Sequence, residues 1–382
     1  MDREKCKNIA FVVGFFEGHI TCTIELVKDL VSLGHNITLY VLEQYSERYK
    51  MTGAKLKIYS IEKKDLYKTE NSLVCLTMVR SLDAVLTQAQ KEQEKFDYLI
   101  VDSLLDGKEM NKIFKASTVI SIFTCQYALL PFDFIKQFNQ EILKLMIPLN
   151  KKFNLEMMDY FTANSYPNSK YKLFLTSREF HSKIYQLDDS FFFIGPSIED
   201  KPIDKSFPFK KDLNKILIYI SLGTIYNDNI DFFKKSIEAF GSSKEFQLII
   251  SVGKLIDIKK FGNVPENIYI YNFVPQLQIL KEADIFFSHG GLNSINERLF
   301  LAEKPIIVVP QFGDQYLNAY QVAILECGIT LEKEKITVDV LKNAVNSIIT
   351  DKEKFNNGVQ NIVKSFKNAR NERINILKKI FI

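Results

Sequence analysis

Tryptophan is absent from the 382 residues, and histidine occurs only four times, at His19, His35, His181 and His289. Any imidazole placed where a strand ends is therefore a conspicuous candidate for chemistry. Cysteine is scarce: five residues (Cys6, Cys22, Cys75, Cys125, Cys327), odd in number and far apart, with no CxxC or His-Cys cluster. That spacing gives no disulfide framework and no thiolate metal site, and predicts free thiols in a reducing compartment. No apolar run approaches the ~18 residues of a spanning helix, and the stretch after MDREKCKN is too short for a signal peptide. A cytoplasmic protein without membrane association is the expectation. An excess of one charge is also missing. The 50 Lys and Arg against 46 Asp and Glu leave +4, spread along the chain rather than clustered as a nucleic-acid binder requires.

What remains is a globular composition, 46% hydrophobic and 25% charged, long enough for two domains. Continuous apolar runs recur between amphipathic stretches. In the first half these are Ile9–Val13, Ile37–Leu42, Tyr98–Val101 and Thr118–Phe123, with a helical pattern at Ile24–Leu33 stopped by Gly34-His35. In the second half they are Ile216–Ser221, Gln247–Ser251, Ile268–Tyr271, Ile285–Ser288 and Pro305–Val309, with a helix over Phe232–Phe240. Runs without polar alternation suit parallel sheets covered on both faces. The charged, proline-containing SIEDKPIDKSFPFKKD, Ser197–Asp212, reads as a linker. The expected organisation is α/β: a Rossmann-like domain over 1–200, a second over 201–358, and a basic amphipathic helix over 359–382 packing back on the first.

In open parallel sheets, ligands bind beyond the carboxyl ends of the strands. The stretch SHGGLNSINERLF, Ser288–Phe300, sits there. Gly290 and Gly291 let backbone approach a ligand, and a helix start offers N–H groups to an anion. Asn293, Ser294 and His289 add donors, so a diphosphate fits. Ser294 and Glu297 also match a capping box, which needs no ligand. Upstream, Phe273-Val274-Pro275-Gln276 offers an aromatic for a nucleobase or, alternatively, for the core. Downstream, Asp314-Gln315 pairs a carboxylate and an amide suited to sugar hydroxyls, or to bulk solvent.

FVPQLQILKEADIFFSHGGLNSINERLFLAEKPIIVVPQFGDQ, Phe273–Gln315, resembles the donor-binding signature of family 1 glycosyltransferases. The bacterial branch acting on macrolides and flavonoids is the nearest likeness, and FIGPSIED, ISLGTIYN and SVGKLID extend it. The resemblance implies a GT-B fold, two Rossmann-like domains whose sheets face across a cleft. It also implies an inverting, UDP-dependent hexosyltransferase acting on a small, largely apolar hydroxyl acceptor, with glucose the expected sugar. Phe273 would stack on the base, where plant relatives carry Trp, with Val274 beside it. Gln276 and Glu297 would bind ribose. His289, Gly291, Asn293 and Ser294 would hold the diphosphate, Gly223 and Thr224 would close on the phosphates, and Asp314 and Gln315 would contact the sugar. No cofactor is implied beyond the nucleotide sugar as co-substrate, and without an Asp-x-Asp motif no metal is expected. A monomer or weak dimer is expected.

Transfer to a hydroxyl needs a base. His19, in GFFEGHITCT after the first strand, stands where an active-site residue belongs, and imidazole titrates near neutrality. Asp102, closing Tyr98-Leu-Ile-Val-Asp, belongs to a strand that can lie beside the first. The resemblance implies His19 as the base and Asp102 as its orienting acid. Relatives often carry Asn-Pro soon after this histidine, whereas Thr21-Cys22 stands here, which concerns the acceptor side. The aromatic and apolar residues between Cys125 and Phe174, including Tyr127, Phe132, Phe134, Met146, Met157, Met158 and Tyr160, suit either an acceptor pocket or helix packing. A dinucleotide oxidoreductase is the rival α/β reading, but Gly14-Phe-Phe-Glu-Gly18 lacks the GxGxxG spacing. A catalytically idle sugar-nucleotide binder is the other.

Overall fold

The computed structural model describes residues 6–61, 71–126, 144–157, 163, 168–183, 186–199, 203–224, 227–254 and 256–382, with backbone alone at 71–75. The chain forms two compact units. Met1–Ser177, Lys183–Glu199 and Asn368–Ile382 make the first; Arg178–Ser182 and Asp200–Lys367 make the second.

Among the described residues the first unit carries seven parallel strands: β1 (Asn8–Val12), β2 (Asn36–Leu42), β3 (Lys55–Tyr59), β4 (Tyr98–Asp102), β5 (Thr118–Phe123), β6 (Tyr171–Phe174) and β7 (Phe191–Phe193). Their order is β3-β2-β1-β4-β5-β6-β7. Ile9, Phe11, Ile100 and Ile122 are fully buried, as expected of β-branched and aromatic runs covered on both faces. The helix Ile24–Ser32 lays Ile24, Leu26, Val27 and Leu30 on this sheet. It ends where Gly34 takes the left-handed conformation (φ 87°) that releases the chain toward β2. His35, just beyond, is buried against Phe381.

The second unit has six parallel strands: β8 (Ile216–Ser221), β9 (Phe246–Ser251), β10 (Ile268–Tyr271), β11 (Ile285–Ser288), β12 (Ile306–Val308) and β13 (Gly328–Thr330), in the order β10-β9-β8-β11-β12-β13. The two sheets share a feature that matters for function. In each, the first strand is flanked by the second and the fourth, β1 by β2 and β4, β8 by β9 and β11. Loops leaving the first and fourth strands then turn to opposite sides, which opens a crevice at the carboxyl edge.

The last helix spans Lys352–Ile380, starting before the Val359 expected from sequence, and it passes from the second unit to the first at Lys367-Asn368. Within the first unit Arg373 is buried. Its Nε donates to the Ile194 carbonyl at 2.8 Å, Nη2 to those of Gly195 and Pro196, and Nη1 pairs with Asp29 at 3.2 Å. Leu377, Ile380 and Phe381 complete the core there. His181 lies in a turn, fully buried beside Phe180. The apolar Phe180 pulls this short segment into the second core.

Candidate active site

Two groups of polar side chains gather at the two crevice edges, one in each unit. In the first, β1 and β4 run in register from Ile9 opposite Tyr98 to Val12 opposite Val101, so Asp102 reaches the sheet edge beside the turn after β1. That turn carries the one-turn helix Glu17–Thr21 and His19. His19 Nδ1 lies 2.7 Å from Asp102 Oδ2. Asp102 is buried, and its other oxygen accepts the Leu104 N–H at 3.0 Å. Because Nδ1 faces the carboxylate, Nε2 is the nitrogen left to exchange a proton. A Cβ on Gly14 would sit 2.6 Å from His19 Cβ and 2.8 Å from Asp102 Oδ2. The glycine after β1 therefore makes room for this pair.

Sequence reasoning passed over Thr124. Its hydroxyl lies 2.6 Å from His19 Nδ1 and 3.2 Å from Asp102 Oδ2, so three side chains close a ring of hydrogen bonds. The signal was positional: Thr124 follows β5, the strand next to β4. A second layer holds the His19 helix in place. Tyr49, buried, donates to the Ile20 carbonyl at 2.9 Å and shares a 2.6 Å bond with Thr23. Arg48 pairs with Glu17 and reaches Thr21 Oγ1 at 3.2 Å. These contacts hold the segment that includes Thr21 and Thr23.

In the second unit, β8 and β11 end side by side, Ser221 opposite Ser288, and deliver Gly223 and His289 to the same edge. The His289 ring lies between two glycines. A Cβ on Gly223 (φ 82°) or Gly291 would sit 2.8 or 2.5 Å from its Nε2. Burial lowers the His289 pKa to about 4, so the imidazole is neutral near pH 7. Its Nδ1 is buried with no hydrogen-bond partner among the described residues. His289 can thus offer a hydrogen bond, not a charge. Thr224 is exposed beside Gly223.

The helix Leu292–Ala302 starts at Gly291 without a side-chain cap. The capping box suggested by Ser294 and Glu297 does not form. Glu297 is buried and accepts instead from Asn293 Nδ2 at 2.8 Å and Gln276 Nε2 at 2.6 Å. Gln276 also reaches Ser294 Oγ at 3.3 Å and accepts from Tyr219 at 3.2 Å. Gln276, Asn293, Ser294 and Glu297 thus form one cluster, and the helix N-terminus keeps its anion-attracting N–H groups. Phe273 is 68% exposed, so it is no core residue, whereas Val274 is buried in the core and has only backbone to offer. Gln315 Oε1 accepts from the Gln311 and Phe312 N–H groups at 2.8 and 3.1 Å, shaping the turn that carries Asp314.

Of the apolar residues proposed for an acceptor pocket, Met146 and Met157 are buried. Tyr127, Leu129, Phe132, Phe134, Phe138, Met158, Tyr160 and Phe161 lie outside the described residues. Among the described residues no helix is long and apolar enough to cross a membrane.

Similarity to known proteins decides what this arrangement belongs to. Residues 247–369 match the family model described as Erythromycin biosynthesis protein CIII-like, C-terminal domain. The NDP-glycosyltransferase YjiC of Bacillus subtilis is 30% identical over 369 residues, covering 92% of this chain and 91% of its own length. The chain belongs to the family 1 UDP-glycosyltransferases. YojK of Bacillus subtilis, an uncharacterized UDP-glucosyltransferase, is 29% identical with 89% of each chain covered. Among solved structures, the glycotransferase of kitacinnamycin superposes with a TM-score of 0.80 at 21% identity, covering 98% of this chain and 99% of its own. The parallel sheets of this glycosyltransferase are those of the GT-B fold.

Proposed function

We propose that the enzyme transfers a hexose, glucose, from UDP to a hydroxyl of a small, largely apolar acceptor of the macrolide or flavonoid kind, with inversion. The observation that carries this reading is the 2.7 Å contact between His19 Nδ1 and Asp102, which makes Nε2 the base. His19 Nε2 takes the hydroxyl proton as the acceptor oxygen bonds to the anomeric carbon. The bond from that carbon to the diphosphate oxygen breaks, and UDP leaves with the electron pair. Asp102 steadies the imidazolium so formed. Charge growing on the diphosphate meets preorganised donors: the uncapped helix N-terminus at Gly291, and His289, whose buried Nδ1 a phosphate oxygen would satisfy. These groups do the work without a metal.

The glucosyltransferase name of YojK supports the sugar, and the family model's link to erythromycin biosynthesis supports the acceptor class. Exposed Phe273 supports stacking on uracil, and Glu297 with Gln276 supports hydrogen bonds to ribose. A mass-spectrometric screen of hydroxyl acceptors with UDP-glucose tests the proposal. A product heavier by one hexosyl unit, of β configuration from the α-linked donor and formed equally in EDTA, is the expected result. A retained configuration would overturn the single displacement, and loss of product in EDTA restored by Mg would overturn metal independence.

A further inference from the structure

Asn318 lies on the helix Gln315–Ile324 and is fully buried. Its Nδ2 donates to the Gly290 carbonyl at 2.8 Å and to Asp314 Oδ2 at 3.2 Å. One amide nitrogen therefore links the glycine turn that leads into the Leu292–Ala302 helix with the carboxylate that opens the next helix. Both partners stand on segments that glycine makes pliable, Gly290 at φ 84° and Gly313 at φ 61°. The first is pinned from its other side by Ser288 Oγ, which accepts the Gly290 N–H at 3.1 Å. Asn318 Oδ1 is buried with no partner among the described residues. A side chain selected only to fill the core would not leave an amide oxygen unsatisfied; an apolar residue of similar shape avoids that cost.

We infer that Asn318 is a positioning residue that sets donor-sugar selectivity, holding the Asp314 carboxylate in fixed register with the phosphate turn. The inference rests on the reading that Asp314 meets the sugar. A carboxylate held in one plane accepts an equatorial hydroxyl and misses its axial epimer; one free to rotate accepts both. Because the strut is anchored on Gly290, the acid keeps its distance from the diphosphate that fixes the anomeric end of the sugar. Selectivity between epimers then depends on a residue that touches neither.

The test compares wild type, Asp314→Ala, Asn318→Ala, Asn318→Asp and the Asp314→Ala/Asn318→Ala double variant. The readouts are calorimetric affinity for UDP, melting temperature, and kcat/KM for UDP-glucose and UDP-galactose. Asn318→Asp keeps the buried volume and removes the donor, so it serves if the alanine variant folds poorly. Asp314→Ala and both Asn318 variants should lower the ratio between the two sugars by about tenfold, the scale of one lost polar discrimination. UDP affinity should change less than about threefold. The double variant should match Asp314→Ala, since Asn318 acts through that carboxylate. If Asp314→Ala leaves the ratio intact, the assignment of Asp314 fails and this inference falls with it. If Asp314→Ala lowers the ratio but both Asn318 variants keep it, or lose only UDP affinity, this inference alone is wrong.

Discussion

At the scale of single residues, Phe273 is the simplest case. Burying a phenylalanine contributes about 2 kcal/mol, yet this ring stays mostly in solvent on the loop after β10. If it stacks on uracil, Phe273→Ala should lose about 1–3 kcal/mol of UDP binding and Phe273→Trp should keep it. Calorimetry that finds the alanine variant unchanged would remove the ring from the site. Thr124 makes a different kind of contribution. Its hydroxyl donates to the buried Asp102 carboxylate and accepts at His19 Nδ1. Thr124→Val keeps the shape and loses both bonds, so kcat should fall about tenfold with UDP affinity unchanged, a loss worth about 1–2 kcal/mol. Thr124→Ser should restore most of it. A valine variant with wild-type turnover would make the hydroxyl a packing detail.

At the scale of elements, Arg298 ties together the two helices that carry the Gln276–Glu297 cluster. Fully buried on the Leu292–Ala302 helix, it donates to the carbonyls of Pro305, Leu280, Ala283 and Asp284. Leu280 and Ala283 close the helix Gln276–Glu282, whose last carbonyls attract a cation. Burial pushes the guanidinium pKa down to about 9, but at neutral pH it stays charged. The helix bearing Asn293 and Glu297 is thereby fixed to the helix that starts at Gln276. Arg298→Ala would strand several buried carbonyls and should cost about 3 kcal/mol or more, read as a lower urea midpoint with an unchanged slope. An unaltered midpoint would mean that water serves those carbonyls equally well.

Element boundaries also show what the sequence disclosed. The central strands were legible because runs such as Tyr98–Asp102 are buried along their whole length. The edge strand β3, KLKIY, was not. Its Lys55 and Lys57 pair with Glu92 and Glu94, and charge of that kind keeps an edge from pairing further while erasing the apolar run that reveals a strand. β7 and β13, each three residues long, were too short to show a period. Asn293, Ser294 and Glu297 were legible as a polar group because they stand within a few positions of one another on one helix. Thr124 and Asn318 were not. Thr124 belongs to the His19 group only through the pairing of β4 with β5. Asn318 stands four residues from Asp314, but what joins it to the glycine turn is a bond to Gly290, far away in sequence. The capping-box pattern at Ser294 and Glu297 misled for the same reason: Gln276, from another loop, competes for the glutamate.

At the scale of the whole molecule, acid should act first on the second unit. His181 and His289 belong to it, and burial lowers the pKa of each to about 4. Between about pH 4 and 6.5 the unfolded chain binds these protons and the folded chain does not. Stability from this source is complete above about pH 6.5 and is lost as pH falls toward 4. Thermal melts should therefore be lower at pH 5 than at pH 7, and a His181→Phe variant should show a smaller difference. A melting temperature that rises on acidification would reverse the sign assigned here.

The two units repeat one arrangement, with polar side chains gathered where the first and fourth strands end side by side, and the proposed function assigns one half of the reaction to each. Separating the halves is the most direct test. Turnover and UDP affinity measured on His19→Ala should diverge, with affinity near wild type and kcat down about 10²–10⁴-fold, the range for a lost general base. Wild-type turnover by His19→Ala on a hydroxyl acceptor would contradict the account.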